Sequence, residues 1–559
     1  MRRNSLYLIY FVIALVFVSC AKIGTPTGGA YDREAPKQRE ANPKNNSTNF
    51  KSNGFEIEFD EYIELSNTSE ELIISPPLKN KPTIKAHLKK LKVNWTDTLA
   101  ENTTYIFDFG SSIIDFTEGN KVSNFIYSFS TGNHIDTMEY KGRVKQAYTL
   151  NNVKGKYVML YKSEDRDIIR KEKPNYLTRT DSLGRFTFKN IAEGDYQIIM
   201  LDDKNQNLLY DLPTEGLAFS NTRVSATNYT KPKQDTINQV PIAPKPEQID
   251  NIFYFFEPKD TAINLSSSKL ISAHHLQLIF SNPTTDSLNL KFSFPPIKTE
   301  DSTQVFIQYN SNKDTLDIWS MEHRFDTLKL DIKDLSLKET IELYYIKPRR
   351  EIIKDTFSFI APKQPLAYFS EFLLELPFPI HKDSAHFKAL SIRDNDTLEI
   401  EFSPYPLSPL FVKIDHRFEQ GSTQRIKIEQ GVVRNRLSQV NDSISFDLTI
   451  DKESDYGNFY LTIEDSLFEG NNYILILEDL KQNPLKTLFA SNKEKVKFSN
   501  LKEGNYKIRL IIDANNNKKW DYGNYDQSIL PEKIIYYNKP INIRKNWDVE
   551  ETWILKNEE

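Results

Sequence analysis

A chain of 559 residues with 72 Lys and Arg against 77 Asp and Glu has no basic excess for nucleic acid. It is also longer than one core supports, since single cores seldom grow beyond about 250–300 residues, so several domains are expected. A single cysteine is poor material for a disulfide, while 35 Phe and 28 Tyr in short alternating runs, with only 18 Gly, point to many strands.

Arg2 and Arg3 precede an apolar run from Leu6 to Val18, then Ser19 and Cys20. The run is too short to span a bilayer as a helix and reads as a secretory signal over residues 1–19. Val18-Ser19-Cys20 resembles the end of a bacterial lipobox, with Phe17 where leucine is more usual. The resemblance implies that Cys20 becomes the acylated first residue of a lipoprotein, its palmitate held in the outer membrane. The alternative is a plain signal peptide with an incidental cysteine. Ala21-Lys22-Ile23-Gly24 lacks the acidic residues usual after a surface-exported cysteine, and whether the chain faces periplasm or exterior stays open. Residues 20–53, rich in Gly, Thr, Pro, Lys and Asn, are expected to form a flexible tether.

Module 1, residues 54–133, alternates at Phe55, Ile57 and Phe59, at Tyr105, Phe107 and Phe109, and at Phe125, Tyr127 and Phe129. Period two predicts half-buried antiparallel strands of a two-sheet sandwich. Pro26-Thr27-Gly28-Gly29, Phe59-Asp60-Glu61, Ser75-Pro76-Pro77, Asn102-Thr103-Thr104-Tyr105, Phe109-Gly110, Glu118-Gly119-Asn120 and Phe129-Ser130-Thr131-Gly132 follow in order. Together they resemble the SbsA-type Ig-like domain of Bacteroidota lipoproteins, which implies a structural sandwich at the cell envelope. Module 2, residues 134–245, carries Gly142-Arg143-Val144, a strand from Tyr157 to Tyr161 and Leu183-Gly184-Arg185-Phe186. That order is similar to carboxypeptidase-regulatory-like and Cna-B-like domains, small transthyretin-like spacers.

Module 3, residues 250–361, alternates at Leu276, Leu278 and Phe280 and at Leu288, Leu290 and Phe292, without a nameable motif. After Ala361-Pro362-Lys363-Gln364-Pro365, module 4 (366–450) echoes the Ig-like region in Gly431-Val432-Val433-Arg434-Asn435 and Asp442-Ser443-Ile444-Ser445-Phe446. Module 5, residues 451–559, repeats module 2, with Tyr473 to Leu477 standing for Tyr157 to Tyr161. Phe498, Gly504-Asn505-Tyr506, Asp513, Asn515, Asn517 and Asp521 likewise stand for Phe188, Gly194-Asp195-Tyr196, Asp203, Asn205, Asn207 and Asp211. Identical spacing from tyrosine to second aspartate marks a duplicated module. The fold expected is all-β, a tandem array of Ig-like and transthyretin-like β-sandwich domains behind a lipidated flexible tether.

The repeated Asp-x-Asn-x-Asn-x-x-x-Asp offers oxygen ligands from alternate residues, which suits calcium. The alternative is a hairpin loop whose Asn and Asp side chains bond their own backbone. Asp followed by Ser or Thr and an apolar residue recurs at Thr98, Thr137, Thr261, Ser287, Thr315, Thr327, Thr397, Ser443 and Ser466. The triplet resembles the O-glycosylation sequon of exported Bacteroidota proteins, though Asp-Thr also enters strands for conformational reasons. His274-His275 and Asp60-Glu61, read as strand neighbours, point apart, so neither forms a metal site or a catalytic pair. Trp520, Trp547 and Trp553 read as core before sugar platform. These features suggest a non-catalytic structural, adhesive or scaffolding protein of the envelope, held by lipid and meeting envelope proteins or glycans. Two alternatives stand beside it: a carbohydrate-binding lipoprotein of a polysaccharide uptake system, and a hydrolase within residues 252–360.

Overall fold

The computed structural model describes residues 32–228, 251–258, 263–284, 289–293, 305–321, 329–333, 341–344, 357–380, 386–394, 396–414, 416–465 and 472–555. Cys20, Thr261, Ser287, Thr327 and Ser466 lie outside these residues. Strands run through the described segments, joined by turns and by one-turn helices such as Thr68–Glu71 and Ile168–Lys171, giving the expected all-β series of sandwich modules. The chain divides into two compact units, Met1–Phe256 and Glu257–Glu559.

In the first unit, module 1 has a four-stranded sheet in the order Gln38–Asn42, Gly54–Phe59, Lys90–Asn94, Thr83–His87. A three-stranded sheet of Ile73–Ser75, Thr104–Asp108 and Ile126–Ser130 completes the sandwich. Alternation buries Phe55, Ile57 and Phe59 from one sheet and Phe107, Tyr127 and Phe129 from the other. The Phe55 and Tyr127 rings stack at 3.9 Å, those of Phe50 and Phe129 at 3.8 Å. Residues 38–50, expected within the tether, are therefore part of the sandwich. Strand Gln38–Asn42 sits at a sheet edge and turns only Ala41 inward, so its sequence reads as polar although its backbone is paired.

Module 2 pairs Arg185–Ile191, Met138–Gln146 and Ile252–Phe255 in one sheet. The other sheet runs Tyr176–Arg179, Tyr157–Tyr161, Asp195–Leu201, Leu217–Phe219. Strand Ile252–Phe255, assigned by sequence to module 3, lies parallel to Met138–Gln146 and places Phe253 and Phe255 in the module 2 core. The expected boundary at 245–250 thus moves past Phe256, because the closing strand returns from a distant stretch of chain.

In the second unit, module 3 contributes a four-stranded sheet in the order Leu265–Ser272, His275–Phe280, Thr315–Ser320, Val305–Tyr309, and a three-stranded sheet of Asn289–Ser293, Lys329–Lys333 and Ile341–Tyr344. Module 4 is a six-stranded antiparallel sheet in the order Leu373–Glu375, Phe411–Ile414, Asp396–Pro404, Phe387–Arg393, Thr423–Ile428, Ile444–Thr449. Its core takes in Phe357 and Phe359, and Trp319 and Met321 from module 3. The proline-rich break at 361–365 therefore interrupts strand pairing without dividing the core, and the boundary expected there is not a linker.

Module 5 reproduces the strand order of module 2, apart from the short strand Thr227–Asn228 on Met138–Gln146, which has no counterpart among the described residues. Lys495–Lys502, Tyr456–Asp465 and Asp548–Leu555 form one sheet, and Pro484–Ser491, Asn472–Glu478, Gly504–Asp513 and Ile534–Tyr536 the other. Even the register shift in the first strand recurs, between Met138 and Tyr140 and between Gly457 and Phe459.

Candidate functional site

The two copies of the Asp/Asn loop each leave the strand that begins with the Gly-x-Tyr motif. At its start the tyrosine hydroxyl donates to a carbonyl four residues back, Tyr196 to Ala192 at 2.6 Å and Tyr506 to Lys502 at 2.7 Å. At its end, Asp203 accepts from the backbone N–H of Asn207 (3.2 Å) and Leu208 (2.8 Å), and Asn207 Oδ1 from Leu209 (2.7 Å). The side-chain amides of Asn205 and Asn207 donate to Asp211 at 3.0 and 2.6 Å. The second loop repeats each bond. Asp513 accepts from Asn517 and Lys518 (3.1 and 2.9 Å), Asn517 Oδ1 from Lys519 (2.8 Å), and Asp521 from the Asn515 and Asn517 amides (2.5 and 2.7 Å). Left-handed residues also recur in step, Gln206 and Leu208 matching Asn516 and Lys518.

A further carboxylate, absent from the sequence reading, supports each loop from beneath. Glu215, fully buried, accepts from the N–H groups of Lys204 (3.1 Å), Asp211 (3.2 Å) and Leu212 (3.2 Å). Glu532 accepts from Ala514 (3.0 Å) and Asp521 (3.1 Å) at the same two loop positions. The glutamate follows the second aspartate by four residues in one copy and eleven in the other, so a fixed-spacing search passes over it. Burial pushes the Glu532 carboxyl up, and Asp521 and Asp513 push it further against the two N–H bonds. Burial likewise raises Asp203. The loops close on their own hydrogen bonds, with amide hydrogens facing Asp211 and Asp521. A cation there would require both asparagines to turn their oxygens inward. Among the described residues, no three His, Cys, Asp or Glu side chains are grouped to hold a metal ion.

Register corrects the alignment of the copies. Tyr157 pairs with Leu201, whose counterpart Ile511 pairs with Ile474, so Tyr157 corresponds to Ile474 and not to Tyr473. A one-residue slip exchanges the faces: Tyr473 is in the core and donates to Asp465, whereas Tyr157 accepts from Arg179 at 2.9 Å. In this register Glu478, Arg509 and Tyr536 occupy the places of Tyr161, Ile199 and Phe219. Glu478 and Arg509 form an ion pair at 1% and 2% exposure, with the Tyr536 hydroxyl 3.4 Å from Glu478.

The remaining candidates scatter. Thr98, Thr137, Thr397 and Ser443 are exposed, while Thr315 is half-buried and its hydroxyl donates to Asp314 at 2.9 Å. His274 lies in the turn before strand His275–Phe280 and not in a strand. His275 stacks on Trp319 at 4.3 Å, its Nε2 2.9 Å from Asp317. Asp60 and Glu61 also fall in a bend, just after Gly54–Phe59, where Asp60 accepts from the Lys37 N–H at 2.7 Å. The three tryptophans divide: Trp553 is in the core against Tyr537, Trp547 is 58% exposed under Arg544, and Trp520 donates to the Glu532 carbonyl at 3.1 Å. Within the first unit, a cleft of about 340 Å³ separates the outer face of Ile73–Ser75, Thr104–Asp108 and Ile126–Ser130 from Tyr176–Arg179 and Arg185–Ile191. Asp108, Asn124, Thr178, Thr187, Lys189 and Asn190 supply its polar lining.

Comparison with known proteins matches residues 32–131 to the bacterial Ig-like domain family. No curated protein matches by sequence. Similar solved structures include the major pilin subunit BcpA of Bacillus cereus, at 10% identity over 74% of this chain and 99% of that one, with a TM-score of 0.15. The S-layer protein rSbsC is 10% identical over 90% of this chain and 67% of that one, with a TM-score of 0.13. The Bacillus anthracis TIE protein is 10% identical over 95% of this chain and 76% of that one, also at 0.13. TM-scores this low say nothing about function. The family match begins at residue 32 and not at 54, in agreement with the early strand, and the chain carries a bacterial Ig-like domain at residues 32–131.

Proposed function

We propose that this is a lipid-anchored envelope protein in which a series of β-sandwich modules serves a structural or adhesive role. One observation carries the reading. The two copies of the duplicated module agree in what holds a module together: strand order, tyrosine bond, loop and supporting glutamate. They differ in buried and half-buried side chains, Glu478, Arg509 and Tyr536 standing for Tyr161, Ile199 and Phe219, so what the copies share is the framework. Duplication has kept the scaffold. Acylated Cys20 would hold it at the outer membrane, and Thr98, Thr137, Thr397 and Ser443 present hydroxyls accessible to glycan transfer.

The test is incorporation of labelled palmitate into the protein and into Cys20→Ala, with protease added to intact cells. Label that depends on Cys20 supports the anchor, and cleavage or protection assigns the face. An unlabelled wild type refutes the anchor. A second reading, glycan binding, draws on the polar cleft of the first unit, whose carboxylate, ammonium, amide and hydroxyl groups are the mix that sugar hydroxyls use. Retention on immobilised glycans that is lost with Asp108→Ala would favour it, and wild-type chain flowing through unretained would count against it.

A further inference from the structure

We infer that the modules are built to bear tension along the chain, an inference that rests on the structural role proposed above. In four modules a segment at or shortly after the entry runs parallel to the outgoing one and bonds to it; in module 1 this segment follows the antiparallel edge strand Gln38–Asn42, and in module 4 it follows the antiparallel bridge of Ile360 with Glu375. In module 1, Ser47 bridges Phe129 in parallel. Asn46 N–H donates to Ser128 O (2.8 Å), Ser130 N–H to Ser47 O (2.9 Å) and Phe50 N–H to Ser130 O (3.0 Å). In module 2, Arg143 to Gln146 pair in parallel with Ile252 to Phe255, flanked by Arg143 N–H to Asn251 O (2.8 Å) and Ala147 N–H to Phe255 O (2.7 Å). In module 4, Leu366 bridges Ile450 in parallel, donating to Thr449 O (2.8 Å) and accepting from Asp451 N–H (2.9 Å). In module 5, parallel pairing extends over eight positions, from Asn458 with Asp548 to Asp465 with Leu555.

Two parallel strands, one pulled by its N-terminal end and the other by its C-terminal end, are drawn past each other. The slanted, evenly spaced bonds of a parallel ladder are then loaded together, and several must fail at once. Had the outgoing strand run antiparallel to the incoming one, the same pull would open the ladder from one end, a bond at a time. The four modules share this arrangement although Ig-like and duplicated modules differ in strand order. Module 5 has the longest such ladder, and side chains reinforce its loaded end. Asn458 Nδ2 donates to Asp548 Oδ1 at 2.7 Å, and Asn458 N–H to Trp547 O at 3.1 Å.

Pulling direction tests the inference. In the chain from residue 20 onward carrying Cys20→Ala, Glu453→Cys with Ile554→Cys applies force in shear across module 5. Glu464→Cys with Ile554→Cys, a register pair at one end of the ladder, applies it as peeling. All three side chains are exposed, and a thermal melt checks that both variants fold. Forced unfolding reads the unfolding barrier, and the shear force is expected to exceed the peel force at least about twofold at equal pulling speed. Equal forces would overturn the inference. Cys20 acylation is not involved in this measurement, so loss of the anchor leaves the force ratio as it is, and equal forces leave the anchor standing.

Discussion

The buried charge pair of module 5 permits an asymmetric prediction. Glu478→Leu leaves the Arg509 guanidinium, 2% exposed, without its carboxylate, which costs about 3–5 kcal/mol. At about 4–8 °C per kcal/mol for a module of this size, the module 5 transition falls by at least about 12 °C. Arg509→Met leaves a carboxyl instead. Burial pushes Glu478 up and Arg509 is the largest of the groups that pull it back, so loss of the arginine moves the carboxyl further up. A carboxyl raised above its unfolded value contributes stability that is complete below the ordinary carboxylate range and is lost as pH rises through the raised value. Arg509→Met is therefore expected to cost less than Glu478→Leu, and its deficit to shrink on acidification from neutral pH toward the ordinary carboxylate range. Replacing the whole set with its module 2 counterparts, Glu478→Tyr with Arg509→Ile and Tyr536→Phe, exchanges the ions for apolar surface and restores most of the loss. Calorimetry of the full chain, with hydrogen exchange over residues 472–478 and 504–513 to locate the transition, reads all three variants. Equal losses from the two single variants, or a triple variant less stable than either, would refute the reasoning.

Glu215→Ala removes the acceptor of three N–H groups, at about 1–3 kcal/mol for each one left buried, and exchange of the Lys204, Asp211 and Leu212 amides should accelerate together. Gly457→Ala places a Cβ 2.6 Å from Trp547 O and 2.7 Å from Arg544 O, so the closing strand must shift and module 5 should melt earlier. Because both Asp/Asn loops close on their own bonds, a chelator should leave the melting temperature unchanged, whereas a rise on adding calcium would show the asparagine oxygens turning to a cation. The bond from Arg425 holds the Asp447 carboxyl below its ordinary value, so what it contributes is present above that value and lost as pH falls through the lowered one. The melting difference between wild type and Asp447→Asn should thus close on acidification.

Strand existence and module duplication were legible because they are local. Alternation at Phe55, Ile57 and Phe59 decides which face of a strand is buried, and the interval from Tyr196 to Asp211 recurs from Tyr506 to Asp521 because a loop bonded to its own backbone tolerates no change of spacing. Pairing partners were not legible. Alternation says nothing about which strand lies alongside, so by sequence Ile252–Phe255 groups with the residues that follow it, and Gln38–Asn42, with a single inward side chain, has the look of a tether. Copies with different loop lengths also slip: only cross-strand register aligned Tyr157 with Ile474 and revealed that an ion pair replaces tyrosine and isoleucine. Glu215 and Glu532 escaped for the same reason, each reaching its loop across space from a different distance in sequence. Residue order is enough to specify a series of β modules with one kind written twice. The tertiary structure alone decided where each module closes, because closure depends on main-chain bonds between its first and last strands, which can form between almost any side chains.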